Sequence, residues 1–261
     1  MKTNKNYYRN LLMFALFLGV AVLPGVAATL VVCPGCPDPG KYPDLNLAVG
    51  AASSGDVIVI EPGVYPGGIL LNKDLTLVAA GLGVIVDGGG VGSVFEVATG
   101  STVYIGALTA QNGAIDGGIV NYGDLELHGT LVANNSGTYG GIGNMGGDLY
   151  LENCVVRDNN GTISYGFGGG ISNLNGTAYL YFCTIRDNHG YLGGGLHNSM
   201  GTTTLERTLL KNNRATVQGG GYSNHNLGGT VIRLSHTLTG NTSDLTACNT
   251  YYDVNRSPSC K

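Results

Sequence analysis

The chain of 261 residues carries 45 glycines and 24 asparagines, only 11% charged residues, no tryptophan and a formal charge of −4. Soluble α/β enzymes carry roughly a quarter charged residues and far less glycine, which disfavours that class. A hydrophobic share of 43% argues against disorder, and the glycines keep no three-residue period, which excludes collagen.

Residues 1–28 read as an export signal. Lys2, Lys5 and Arg9 precede an apolar run over 11–22, and Pro24, Gly25 and then Val26-Ala27-Ala28 follow. That order is basic region, hydrophobic region and cleavage site, with an apolar run shorter than the ~20 residues of a membrane span. Val32 before Cys33 is not the small residue a lipoprotein box wants. Cleavage leaves 10 basic against 17 acidic residues, a formal charge of −7. Such a chain has no general attraction for nucleic acid or anionic lipid. The expected location is secreted or on an extracellular surface, with no integral membrane span after cleavage.

All six cysteines follow this segment, so disulfides are plausible. Cys33-Pro34-Gly35-Cys36 occupies a separate N-terminal segment, 29–36. It reads as a small structural loop, since no thioredoxin-like βαβ pattern surrounds it and one Cys-x-x-Cys pair falls short of a zinc motif. Cys248 and Cys260 bound a C-terminal segment, 248–261.

Between them, 37–247 reads as one domain. Residues 44–52 predict a short helix with Leu45, Ala48 and Ala52 on one face, a suitable plug for an otherwise sticky sheet edge. Apolar alternation predicts strands at 56–60, 69–71, 75–78, 84–86 and 94–97. From residue 117 an internal repeat appears. Gly-Gly-apolar-x-Asn ends at Asn121, Asn144, Asn173, Asn198 and Asn224, with intervals of 23, 29, 25 and 26 residues. A second element follows each time at fixed offsets: Leu125–Leu127 leads to Thr130, Val132 and Asn135, and the same spacing recurs to Asn159, Asn188 and Asn213. A fifth copy, from Ile232 to Asn241, fits with one inserted residue. A unit of this size cannot bury its own apolar face, but stacked coils can, with Leu on Leu and Val on Val. The expected fold is an all-β, single-stranded parallel β-helix, a solenoid with a short N-terminal capping helix. Stacked asparagines would hydrogen-bond along a ladder inside a turn, and the glycine pairs would turn tight corners.

The segments SSGDVIVIEPGVY (53–65) and LLNKDLTLVAAG (70–81) resemble the opening of bacterial proteins of the pectin-lyase-like, right-handed parallel β-helix superfamily. The Gly-Gly-apolar-x-Asn repeats are similar to those of chlamydial polymorphic outer-membrane proteins and of secreted bacterial β-helix repeat proteins. The resemblance implies right-handed coils. It implies no single activity, because the superfamily includes pectate lyases, pectin methylesterases, polygalacturonases, epimerases, adhesins and phage tailspikes. The polygalacturonase set (Asn-Thr-Asp, Asp-Asp, Gly-His-Gly, Arg-Ile-Lys) is absent, and no methylesterase pair of aspartates with its Gln and Arg is recognisable. No catalytic residue is carried over.

Matching positions between coils gives the candidate sites. Arg157, Arg186 and Lys211 share one offset, with Asp158, Asp187 and Asn212 at the next. That strip suits an acidic polysaccharide, whose carboxylates Arg grips by paired hydrogen bonds; the competing reading is a solvated ladder of Arg–Asp pairs. Tyr139, Tyr165 and Tyr191 recur before Gly-Gly turns, and Tyr150 and Tyr179 share an outward strand position. Such rows suit sugars or cross-coil stacking. Cys154 and Cys183 share an inward position one coil apart, which leaves both a disulfide and stacked thiols open. His128, His189, His197, His225 and His236 show no shared register with acidic neighbours. The expected function is an exported scaffold binding polysaccharide or a cell-surface glycan, against an enzyme on acidic polysaccharide or a purely structural module. No metal or cofactor is expected, with Ca²⁺ entering only for a pectate-lyase-like enzyme.

Overall fold

The computed structural model describes residues 27–36, 38–161, 167–225, 229–244 and 250–251. Short strands follow one another around a coil, and strands pair in parallel with their counterparts in adjacent coils, on both sides except at the sheet ends. Three long sheets result, of ten, eight and eight strands, with a four-stranded sheet filling one corner. We call them the first, second, third and corner sheets. The helix Leu45–Ala51 is the one α-helix among the described residues.

The sequence period becomes register. On the inner face of the first sheet, Leu30, Ile58, Leu77, Ile105, Leu127, Leu151, Leu180 and Leu205 are successive Cα partners. All are buried. The second sheet stacks Tyr65, Val86, Ala110, Val132, Val156, Ile185 and Leu210 in the same way. The third stacks Ile69, Phe95, Ile119, Ile142, Ile171, Leu196 and Tyr222. Each buried Leu or Ile contributes about 1.5–3 kcal/mol of apolar transfer, and each needs the next coil to supply its cover.

Two asparagine ladders run through the coils. In one, Asn121, Asn144, Asn173, Asn198 and Asn224 pass Nδ2 to Oδ1 hydrogen bonds of 2.7–2.8 Å. Each also donates to a nearby glycine carbonyl, as Asn144 does to Gly147 at 2.8 Å. In the other, Asn135, Asn159, Asn188, Asn213 and Asn241 pass bonds of 3.0 Å. There the Oδ1 of Asn159, Asn188, Asn213 and Asn241 also accepts from the main-chain N–H of the preceding ladder residue, and that of Asn135 from Gly113 N–H. Every ladder asparagine is buried, so the amides have replaced water partner for partner. Upstream, Leu71 and Val97 hold the first ladder's position. That is why the sequence repeat fades there while the strands continue.

The glycine pairs answer to this ladder. A Cβ on Gly170 would lie 2.5 Å from the Gly195 carbonyl oxygen and 3.0 Å from Asn188 Nδ2. At the adjoining corner Asn134, Asp158, Asp187 and Asn212 all take φ near +55° (53 to 56°), the left-handed conformation that Asn and Asp accept best after glycine.

The helix is capped by Asp44, whose carboxylate accepts from the Asn46 and Leu47 N–H groups at 2.8 and 3.2 Å. Leu45, Ala48 and Ala52 are buried against the first coil, as their spacing predicts. At its other end Lys73 Nζ donates to the carbonyls of Val49, Gly50 and Ala52, a cation on the orphan acceptors of a helix C-terminus.

Two boundaries differ from expectation. Thr29–Val32 pairs along its whole length with Val57–Ile60, so the solenoid begins at Thr29 rather than 37, and Thr250–Tyr251 pairs with the third sheet, beyond 247. In the last coil, Val231 and Arg233, not Ile232 and Leu234, face Thr203 and Leu205. Ile232 and Leu234 are exposed there, at 41% and 50%. A shift of one residue exchanges the faces of a strand. Here it leaves Arg233 at the end of the Leu row, where its guanidinium donates to the Tyr222 hydroxyl at 2.9 Å.

Candidate binding face on the first sheet

The outer face of the first sheet collects the richest side-chain chemistry. Its strands Thr102–Gly106, Asp124–His128, Asp148–Glu152, Thr177–Tyr181 and Thr202–Glu206 each point three residues outward. One row reads Tyr104, Glu126, Tyr150, Tyr179 and Thr204; the next reads Gly106, His128, Glu152, Tyr181 and Glu206. Asp124 and Asp148 stand at the exposed head of their strands.

The coil holding Glu126 has no ring in the tyrosine row, and His128 supplies one from the neighbouring row. Its imidazole stacks on Tyr104 with centroids 4.8 Å apart and meets Tyr150 at 5.6 Å. Tyr150 and Tyr179 then stack at 5.6 Å with planes 2° apart. Tyr181 continues at 6.5 Å, and Phe182 closes edge-on at 4.5 Å. The Arg207 guanidinium lies over the Phe182 ring at 5.0 Å, within cation–π range.

Carboxylates flank these rings. His128 Nδ1 is 3.3 Å from Glu152 and Nε2 is 3.6 Å from Glu126. The Tyr150 hydroxyl donates to Glu152 at 3.3 Å, and the Tyr179 hydroxyl donates to Glu206. That hydrogen bond, with burial second, pushes the Tyr179 hydroxyl up to about 12, so it stays a donor at any physiological pH. The expectation that no histidine shares register with acids is corrected at His128. The signal was present in the sequence, since Glu126 and His128 are two apart on one face and Glu152 sits at the His128 offset in the next coil.

Tyr150 and Tyr179 are therefore outward neighbours, as predicted. The other tyrosine row is built differently. Tyr139 stacks on Phe167 at 6.0 Å, and Phe167 on the buried His197 at 5.3 Å. A Cβ on Gly143 would lie 2.7 Å from the Tyr139 ring, so this ring roofs the third sheet. Burial raises the Tyr139 hydroxyl above its ordinary value. Tyr191 is half-buried in the strand His189–Leu192 of the corner sheet, and Tyr165 lies outside the described residues.

The cation strip is in register: Arg157 pairs with Arg186, and Arg186 with Lys211. Both arginines, however, close onto the aspartate next in sequence, Arg157 onto Asp158 and Arg186 onto Asp187. The pairs cancel in charge, and Lys211 has Asn212 after it instead.

Cys33 and Cys36 form a disulfide. Cys154 and Cys183 are both buried free thiols. They occupy the place that Thr130 and Thr208 hold in neighbouring coils, and like those hydroxyls each donates to the carbonyl two residues back, at 3.4 Å for both. The hydrogen bond to Cys154 and burial both push the Cys183 thiol well up. Cys248 and Cys260 lie outside the described residues.

With this geometry in hand, the likeness to solved structures is informative. Pectin methylesterase from Aspergillus niger, in its penultimately deglycosylated form, superposes with a TM-score of 0.54 at 14% identity, covering 92% of this chain and 94% of that one. Its deglycosylated form gives 0.52 at 15% identity, over 91% and 93%. A pectate lyase, Pel9A, gives 0.47 at 15% identity, over 89% and 81%. The fold is a right-handed parallel β-helix of the pectin-lyase-like kind. No family model and no curated protein sequence matches the chain. Among the described residues no helix is long and apolar enough to cross a membrane.

Proposed function

We propose that this protein is an exported β-helix scaffold that binds polysaccharide along the outer face of its first sheet. The observation that carries the reading is the continuous run of ring contacts Tyr104–His128–Tyr150–Tyr179–Tyr181, two stacked and two tilted, flanked by Glu126, Glu152 and Glu206. Rings stacked on one another turn edges, hydroxyls and adjacent carboxylates toward a ligand, a surface of alternating donors and acceptors that suits a polyhydroxylated chain. The coils repeat along the axis at ~4.8 Å, so a linear polymer lying along it meets the same chemistry at each step. Support for export comes from the sequence of residues 1–28, and support for a polysaccharide from the named activities of the enzymes that share the fold.

The test is binding of the mature protein to neutral, amino-sugar and uronic polymers by calorimetry. The double variant Tyr150→Ala/Tyr179→Ala should lose at least about tenfold in affinity, 1.4 kcal/mol, with an unchanged far-ultraviolet spectrum. The triple variant Arg157→Ala/Arg186→Ala/Lys211→Ala should bind as wild type does, because its arginines are already neutralised. Failure of every polymer to bind, or a double variant that binds normally, would sink the reading. Release of methanol from pectin or of unsaturated ends from pectate, abolished in His128→Ala, would replace it with an enzyme.

A further inference from the structure

Away from that face, the described residues bring one set of metal-ligating atoms together at the N-terminal corner. Cys33 follows the strand Thr29–Val32, and Glu61 follows its partner strand Val57–Ile60. Between the cysteines Gly35 turns the chain at φ +69°. Both sulfurs and a Glu61 carboxylate oxygen lie within 4.8 Å of one another. Ligands about 2.3 Å (sulfur) and 2.1 Å (oxygen) from a shared tetrahedral ion stand roughly 3.6 Å apart, so small side-chain rotations suffice.

The corner is anchored. Cys33 N–H donates to the Tyr42 carbonyl at 2.9 Å, and Glu61 N–H to the Val32 carbonyl at 2.8 Å. The buried Tyr65 hydroxyl donates to the Glu61 carbonyl at 2.7 Å. Lys41 Nζ donates to Glu61 Oε1 at 3.0 Å, which orients the carboxylate and leaves its second oxygen available. Two thiolates, one carboxylate and one ammonium sum to two negative charges, the complement of a divalent cation.

We propose that, once the Cys33–Cys36 disulfide is reduced, the two thiolates and Glu61 form a site for a thiophilic divalent cation of the Zn²⁺ class, with water as the fourth ligand. The reductant is a dithiol. It passes two electrons to the disulfide, the S–S bond breaks, two cysteine thiols form, and the reductant closes its own disulfide. Binding of the cation then releases both thiol protons. Disulfide and metal are alternative staples for the same turn, which ties Thr29–Val32 to Lys41–Tyr42 at the start of the solenoid.

The test is a Cd²⁺ titration of the full mature chain, reduced with a phosphine, followed by thiolate-to-cadmium absorption in the near ultraviolet. Thiols elsewhere are common to all samples, so the comparison is with Cys33→Ser/Cys36→Ser. Reduced wild type should bind one equivalent more than this variant, and the oxidised protein should lose that equivalent. Glu61→Gln, which keeps both cysteines, should weaken it at least about tenfold. Zn²⁺ should displace the Cd²⁺ and abolish the absorption. Equal uptake by reduced wild type and the double variant would overturn the proposal, and full affinity in Glu61→Gln would remove Glu61 from the site.

Discussion

The buried asparagines show how a single residue type is held to its place. Asn173 donates to Asn198 at 2.8 Å and to the Gly176 carbonyl at 3.1 Å, while its Oδ1 accepts from Asn144 at 2.8 Å. Replacing it with Leu, close in volume, leaves donors and acceptors unmatched in the coils on both sides, at about 1–3 kcal/mol for each group stranded. The expected result is a large loss in the urea midpoint. The same change at Asn224, the last asparagine of this ladder among the described residues, should cost less. Equal losses would show that the ladder's interior bonds carry no special weight. Histidines set the pH dependence. Burial lowers the pKa of His189, with the Arg214 charge adding to this and Asp244 opposing it. Burial and the Arg233 charge lower that of His236. Between their folded values and the unfolded value near 6.5 the unfolded chain binds more protons, so stability rises with pH across that window. It is fully present above about 6.5 and falls as the pH drops through and below it. Urea midpoints should therefore decline from pH 7 to pH 5. In His189→Gln the decline should be shallower; an identical slope would place the linkage elsewhere.

At the scale of the strand, register decides everything, because alternate residues face opposite sides. Leu180 is fully buried between Leu151 and Leu205, while Tyr150 stands outward in the same sheet. Leu180→Asp places a carboxylate without a partner in an apolar row, at a cost of several kcal/mol against the ~5–15 kcal/mol of a whole domain. It should not fold, whereas Tyr150→Asp should fold and lose ring stacking and the hydrogen bond to Glu152; circular dichroism and expression of soluble protein distinguish them. This contrast was readable in the sequence. The offsets from Leu125, Leu149 and Thr203 onward repeat, and a repeated offset can only mean a repeated environment. What the sequence hid lies where the repeat breaks. His128 fills a gap in the tyrosine row from the row beside it, a choice that exists only once two rows lie side by side in space. The last coil slips by one residue where, among the described residues, no further strand of the first sheet covers Arg233. The Cys154 and Cys183 alternatives are equal on spacing, and the structure holds the pair as buried free thiols.

The whole molecule is a stack in which each coil touches only its neighbours, so its stability is close to a sum over coils and the interfaces between them. Position along the axis then matters as much as burial. Leu151 lies in the middle, covered by Leu127 on one side and Leu180 on the other. Leu238 lies in the last described coil, paired with Leu210 on one side only and partly buried. Leu151→Ala should cost about 2–5 kcal/mol, the range for a well-packed core site, because two interfaces lose contacts at once and neither coil can collapse into the space. Leu238→Ala removes the same atoms from one interface beside solvent, and about 1 kcal/mol or less is expected. Hydrogen exchange should show the matching gradient. Amides of the middle strands, Asp148–Glu152 and Thr177–Tyr181, should open only with global unfolding, and those of Thr230–Arg233 and His236–Thr239 at much lower free energy. Leu238→Ala should then raise exchange in the last coils while leaving the middle strands untouched, whereas Leu151→Ala should raise it on both sides of the break. Uniform protection along the axis in wild type, or equal costs for the two variants, would mean that the coils unfold as one indivisible unit, and the nearest-neighbour account would fail.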